Sequence, residues 1–180
     1  MREAKSSCDP VQAPGCRVIT NREALAGGRH NSFDVSGIGV EAVEARNLMH
    51  SPKRCVGFII TIDSVTLYVS GDTSKTAQMA ILPPRCLDYA VFCGDGLLNM
   101  GLLEAAECAR LVGARHNMLY HMKPGSLFDR AKADRWDAPG KLIVEPGEEI
   151  ELLPKAEPSE AQAGLGTGPL FVRMTVGRVV

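Results

Sequence analysis

Residues 65–74 read VTLYVSGDTS. Val65, Leu67 and Val69 alternate with Thr66, Tyr68 and Ser70, the two-residue period of a strand. The run stops at Gly71-Asp72-Thr73-Ser74, small residues of which the last three carry a side-chain oxygen. Asp, Thr and Ser are all good helix N-caps, so one of them is expected to cap a helix starting near Lys75. One helix end needs one cap. Asp72 is therefore either a turn acid or an acid held at a strand end for a ligand, and local sequence leaves both open.

Upstream, residues 55–62 (CVGFIITI) are almost wholly apolar and are expected to form a strand buried on both faces. Asp63-Ser64 is expected to make a two-residue hairpin turn into the opening strand. Residues 38–45 (IGVEAVEA) alternate as another strand. A short strand is expected at 16–20 (CRVIT), followed by a brief helix capped by Asn21 and ending at Gly27-Gly28. Downstream, a helix is expected over 74–82, closed by Pro83-Pro84, and a strand over 87–93. The strongest helical pattern is 101–112, where Leu102, Ala105, Ala106, Ala109 and Val112 share one face and Gly113 stands at the C-terminal cap. Further expectations are a strand at 117–120, a helix at 127–136, and strands at 142–144 and 149–153 around Pro146-Gly147. Hairpins come first, then strands alternating with helices, an order that suits a layered α/β sandwich with a mixed sheet. Residues 1–35 read as an irregular start with a short strand and helix, and residues 36–153 as the body of the domain. Residues 154–180 read as a flexible tail whose last residues, LFVRMTVGRVV, can add a terminal strand.

With 180 residues, 45% hydrophobic and 23% charged, the chain can build one domain with a substantial core. A net charge of −1 gives no basic surface for nucleic acid or anionic membrane. No apolar run approaches the roughly 20 residues of a membrane span, and MREAKSSCDP lacks the apolar core of a signal peptide. The expected setting is cytoplasmic. Cys8, Cys16, Cys55, Cys86, Cys93 and Cys108 include no C-x-x-C pair, so reduced structural thiols are expected rather than a zinc knuckle. Cys86, Cys93 and Cys108 fall in or beside apolar runs and are expected to be buried.

Four histidines remain for chemistry. His30 lies in a polar loop and His116 opens a strand, and both are read as surface residues. His121 ends the strand NMLY, before Met122-Lys123-Pro124-Gly125. Ligand sites of layered α/β folds gather at such strand ends, and Asp72 holds an equivalent place. With His50 in the polar loop NLMHSP, they make an oxygen and nitrogen set suited to zinc, manganese or iron.

The ordered set of strand, loop with His50, VGFIITIDSVTLYVSGDTS, NMGLLEAAECARLVGA and MLYHMKPG resembles the downstream half of the metallo-β-lactamase superfamily. Within it, the resemblance is to the metal-dependent hydrolase branch that includes ascorbate-6-phosphate lactonase-like proteins. The match runs from residue 36 to about 153. The resemblance implies a metallo-β-lactamase-like αββα sandwich. It implies that Asp72 is the carboxylate that can bridge two metals, and that His121 is the last imidazole ligand of the second metal. His50 falls where the family supplies its middle histidine, although Asn47 is a second candidate for that position. Asn99, Gly101 and Glu104 match a segment that supports the helix start near the site. One or two Zn2+ or Mn2+ ions are implied for the full family, with a small-molecule lactone, ester or phosphoester opened by metal-bound hydroxide.

The chain departs from that pattern in its first residues. The family's main motif, H-x-H-x-D-H, is expected upstream of residue 36, and no such pattern occurs; Cys8-Asp9-Pro10 matches only the Asp-Pro that often follows it. The expected reading is an N-terminally truncated sandwich lacking its first β layer, with Met1 just downstream of the missing ligands. Three functional outcomes follow: a metal-dependent hydrolase with weak or no turnover, a non-catalytic remnant or interaction module, or a mis-assigned start. An incomplete sheet would expose apolar surface and a strand edge, so a homo-oligomer or a partner chain supplying the missing half is expected.

Overall fold

The computed structural model describes residues 16–49, 51–123 and 128–155, and the backbone of 172–175. The first helix, α1 (Asn21–Ala24), starts at Thr20, whose hydroxyl accepts from the Glu23 N–H while the Glu23 carboxylate accepts from the Thr20 N–H. Six strands follow in one sheet, ordered as in the chain: β1 (Ser32–Val35), β2 (Ile38–Glu44), β3 (Val56–Ile62), β4 (Val65–Val69), β5 (Tyr89–Cys93) and β6 (His116–Tyr120). Strands β1 to β4 are antiparallel, whereas β4–β5 and β5–β6 pair in parallel. The parallel pairs require crossovers. Two 3-10 turns, Ala77–Ile81 and Pro83–Arg85, make the first, and α2 (Leu102–Val112) makes the second. Because β4, β5 and β6 run the same way, their C-terminal ends open at one edge of the sheet. A third helix, α3 (Arg130–Arg135), and a two-stranded antiparallel sheet of β7 (Glu149–Leu152) and β8 (Val172–Thr175) complete the described elements.

Alternation along the strands divides the core between the two sheet faces. One face carries Ile59, Tyr68, Phe92 and Leu119 against Met79, Trp136 and the Ala105–Ala109 side of α2. The alanines of α2 keep the helix close to the sheet, and its last turn closes on Gly113 in the left-handed conformation at φ 68°. The opposite face packs Val65, Tyr89 and Met118 under Val144 and Leu152. This mixed sheet with helices on one face is the α/β architecture expected from the order of elements.

Several local expectations are corrected. Residues 16–20 form no strand and pair with none of the described strands, and Thr20 rather than Asn21 is the helix cap. Strand β3 is not buried on both faces: Gly57 and Ile59 are buried, while the alternate residues are partly exposed. No helix begins at Lys75. The 3-10 turn starts at Ala77 behind Thr76, without a side-chain cap, and Thr73 spends its hydroxyl elsewhere. Helix α3 begins only after Asp129, whose carboxylate accepts from the Lys132 N–H. Residues 142–144 are not a strand, and the chain touches β6 there through a single bridge, Asn117 to Lys141. β1 was not anticipated. His50, Cys8-Asp9-Pro10, Leu127 and residues 156–171 and 176–180 of the expected tail lie outside the described residues, while β8 covers residues 172–175 of the expected terminal strand.

Among the described cysteines all thiols are free; Cys93 and Cys108 are buried, and Cys86 is exposed, contrary to expectation, because it ends the Pro83–Arg85 turn in a left-handed conformation. Burial pushes the Cys93 thiol up to about 11 and the Cys108 thiol up to about 12. Both groups therefore stay neutral in the fold. Their contribution to stability is complete below the ordinary thiol value and is lost as pH rises from there through the folded values. Iodoacetamide at pH 8 is expected to label Cys16 and Cys86 readily, and Cys93 and Cys108 only in denaturant; peptide mass spectrometry reads the order. Early labelling of Cys108 would show that α2 opens from the sheet.

Candidate metal centre

The site is assembled by three parallel strand ends. Gly71 closes β4 at φ +65°, and a Cβ there would lie 2.5 Å from the Val56 carbonyl oxygen, so only glycine fits this turn. The turn brings Asp72 out of the sheet edge. The next residue, buried Thr73, anchors it: its hydroxyl accepts from the Arg46 N–H at 2.9 Å, and its carbonyl accepts from the Met100 N–H at 3.0 Å.

His121 leaves β6 with φ 46°, a left-handed backbone that non-glycine residues seldom adopt outside constrained sites. Its Nδ1 lies 3.0 Å from Asp72 Oδ1 and 3.8 Å from Asp95 Oδ2. Residues forty-nine apart in the chain thus meet at the strand ends, a convergence that spacing in the sequence could not show. Asp95 was not among the expected site residues, and the structure adds it. Its side chain is only 5% exposed, against 51% for Asp72 and 30% for His121. Asp95 Oδ1 accepts from the N–H groups of Leu97 (2.8 Å), Leu98 (3.2 Å) and Asn99 (3.2 Å), and Oδ2 accepts from Asn99 Nδ2 at 2.7 Å. Burial, the largest influence on this carboxyl, would raise its pKa, but the donors from Leu97, Asn99 and Leu98 together outweigh it and hold the group below the ordinary aspartate value. The sequence signal was available: Cys93-Gly94-Asp95-Gly96 places Gly-Asp at the end of β5 just as Gly71-Asp72 stands at the end of β4.

The remaining expected residues fall around this core. Asn99 Oδ1 accepts from Asn47 Nδ2 at 2.8 Å, and the same amide lies 3.4 Å from the Asp72 carbonyl. Asn47 thus joins the loop after β2 to the loop after β5. Gly101 is the N-cap of α2, and Glu104 in its first turn accepts from the Lys75 N–H at 2.7 Å. Neither Gly101 nor Glu104 is part of the contact between Asp72, Asp95 and His121. Beside Asp72, an open pocket of about 340 Å³ is lined by Asn21, Arg54, Cys55 and Val56. Burial raises the Cys55 thiol, and the charge of Asp72 raises it further, so Cys55 is not a ready thiolate.

A carboxylate and an imidazole in contact at an open edge, with a charged carboxylate behind the ring, have the donor chemistry of a zinc or manganese site. They supply two donors, whereas catalytic metals generally take three from protein. Among the described residues no group of three His, Cys, Asp or Glu side chains is placed to hold an ion. The fit is therefore to part of a metal site.

The chain has a metallo-β-lactamase-like fold, and the proteins it is similar to include relatives of the metal-dependent hydrolase kind that its motifs resemble. It matches a UPF0173 metal-dependent hydrolase of Thermococcus kodakarensis at 32% identity over 110 residues, 58% of this chain and 49% of the relative. A UPF0173 metal-dependent hydrolase of Pyrococcus horikoshii matches at 27% over 136 residues, 70% of this chain and 60% of the relative. The chain thus spans about half the length of the curated relatives it matches. Among solved structures, Igni18, a metallo hydrolase from Ignicoccus hospitalis, superposes with a TM-score of 0.53 at 20% identity, over 66% of this chain and 56% of that one. The metallo-β-lactamase fold protein YhfI from Bacillus subtilis gives 0.50 at 17%, over 64% and 50%. No protein-family model matches the chain. Among the described residues no helix is long and apolar enough to cross a membrane.

Proposed function

We propose that this chain contributes the downstream ligands of a metal-dependent hydrolase site that opens a lactone, ester or phosphoester. The contact of His121 Nδ1 with Asp72 Oδ1 at 3.0 Å, between the ends of two parallel strands, carries the reading. Asp72, as the more exposed carboxylate, and His121 would hold the metal, with His50 the candidate third donor and Zn2+ or Mn2+ the ion. The metal, when bound, supplies Lewis-acid polarisation and activates water. What this chain's residues do is place the two donors: Gly71 and Thr73 fix Asp72, and the Asp95 carboxylate stands 3.8 Å from His121 Nδ1, a negative charge beside the ring. A small-molecule substrate would enter from the pocket beside Asp72.

The second reading is a non-catalytic interaction module of the same fold. Exposed Leu48, Met49, Leu97 and Leu103 favour it, because they stand on the loops and first helical turn that Asn47 and Asn99 bring together beside the site. A second copy of this chain or a partner chain would cover them.

One measurement separates the two. The purified full chain is expected to retain less than one zinc or manganese ion after dialysis, and to bind added Zn2+ with an affinity about tenfold or more above that of Asp72→Ala and His121→Ala. Equal Zn2+ binding by the three proteins, or none by any, would sink the metal reading and leave the interaction module. Two retained ions, both lost in Asp72→Ala, would show that the half-site is completed by other residues of the chain.

A further inference from the structure

Lys132 has no place in the chemistry proposed above, yet its ammonium lies beneath the two loops that carry it. Nζ donates to the carbonyls of Gly94 at 3.3 Å and Asp95 at 3.0 Å, and to that of Met122. Gly94 and Asp95 begin the loop after β5, and Met122 follows His121 after β6. All three protons of one ammonium are thus spent on the backbone of the segments that position Asp95 and His121. A fourth bond across the same gap runs from the Gly94 N–H to the His121 carbonyl at 3.3 Å.

Two comparisons within the molecule separate this arrangement from ordinary surface packing. Lys141 also spends its ammonium on carbonyls, but they are those of Ala133 and Asp134, in the last turn of α3, where a cation simply complements a helix C-terminus. Lys132 Nζ bonds none of its own helix. Helix α3 is itself held to the β6 loop at its start, where the Asp129 N–H donates to the Met122 sulfur at 3.2 Å. An aliphatic side chain would fill the same space without the cost of drawing an ammonium from water. The ammonium is retained where three carbonyls from two separate loops converge.

We infer that Lys132 is a positioning residue that fixes the spacing between the Asp95 loop and the His121 turn, and so the orientation of the His121 imidazole. The role in metal binding rests on the half-site proposed above, whereas the tether between the loops does not. Hydrogen exchange of the full-length chain followed by NMR tests the tether, and Zn2+ titration tests its consequence. In Lys132→Met the amides of Gly94, Leu97, Leu98 and Asn99 are expected to exchange about tenfold faster or more, while those of α2 stay unchanged. Zn2+ affinity is expected to fall about 10–100-fold. Unchanged exchange in these loops, or acceleration of α2 to the same degree, would overturn the positioning role in favour of none or of general packing. If the loops loosen but neither protein takes up Zn2+, the tether stands and the metal reading fails. Lys132→Arg keeps the charge but spreads its donors over a planar fork, so it is expected to restore only part of the protection. Full restoration of both protection and affinity by arginine would show that charge alone suffices and would overturn the tripod.

Discussion

Replacing Gly71 by alanine is expected to destabilise the chain by about 3 kcal/mol or more and to remove Zn2+ binding with it. Two costs combine at this position. The backbone sits at φ +65°, where a β-carbon costs about 1–2 kcal/mol for any L-residue. The same β-carbon would be 2.5 Å from the Val56 carbonyl oxygen, and backbone on both sides leaves nothing flexible to yield. Relief requires β3 and β4 to part at the end that delivers Asp72. Gly147 provides the control: its φ is +90°, but no atom lies within 4 Å of a built β-carbon, so Gly147→Ala carries conformational strain without the clash. Urea unfolding followed by circular dichroism should place Gly71→Ala well below Gly147→Ala, with a melting temperature about 6–12 °C under the parent. Equal losses in the two variants would mean that the strand end relaxes, and Asp72 would then keep its partner at His121.

The strand and the turn of VTLYVSGDTS formed as read, whereas the helix cap expected near Lys75 did not. Local rules made Asp72, Thr73 and Ser74 rival caps, but no helix starts where they could cap it. Thr73 instead faces Arg46 and Cys93, a partner set that depends on strands distant in sequence. The same limit explains the other misses. Residues 16–20 have strand-forming side chains but pair with none of the described strands, and β propensity without a pairing partner makes no strand. Residues 32–35 are too short and polar to show a period, and only the Ser36-Gly37 turn, with φ 54° and 85°, betrays the hairpin. The apolar run of β3 could not reveal that one of its faces is only partly covered, because hydrophobicity does not report what lies opposite. At the site, the strand-end positions of His121 and Asp72 were legible, whereas Asp95 was passed over although Gly94-Asp95 follows β5 as Gly71-Asp72 follows β4. Its role is set by the three amides that turn back on it, and amides leave no mark in a sequence.

Asp95 is accordingly where the second large effect is expected. Asp95→Ala would strip the acceptor from the N–H groups of Leu97, Leu98 and Asn99 and from the Asn99 side-chain amide. Hydrogen bonds to a charged acceptor are worth about 1.5–3 kcal/mol each, but water can replace some of them at this half-open loop, so a net loss of about 3 kcal/mol is expected in urea unfolding. Asp95→Asn separates shape from charge. One oxygen can still serve the three backbone amides, but the new NH2 meets Asn99 Nδ2 or the His121 ring as donor against donor. About half the stability loss of alanine is therefore expected from asparagine, together with a fall in Zn2+ affinity of about 10–100-fold, because the ring loses its carboxylate backing. The two readouts should part company in asparagine, with the fold largely kept and the metal affinity largely lost. If asparagine instead matched the parent in both, the carboxylate would be a loop clasp only, and His121 would have to be oriented by Asp72 alone.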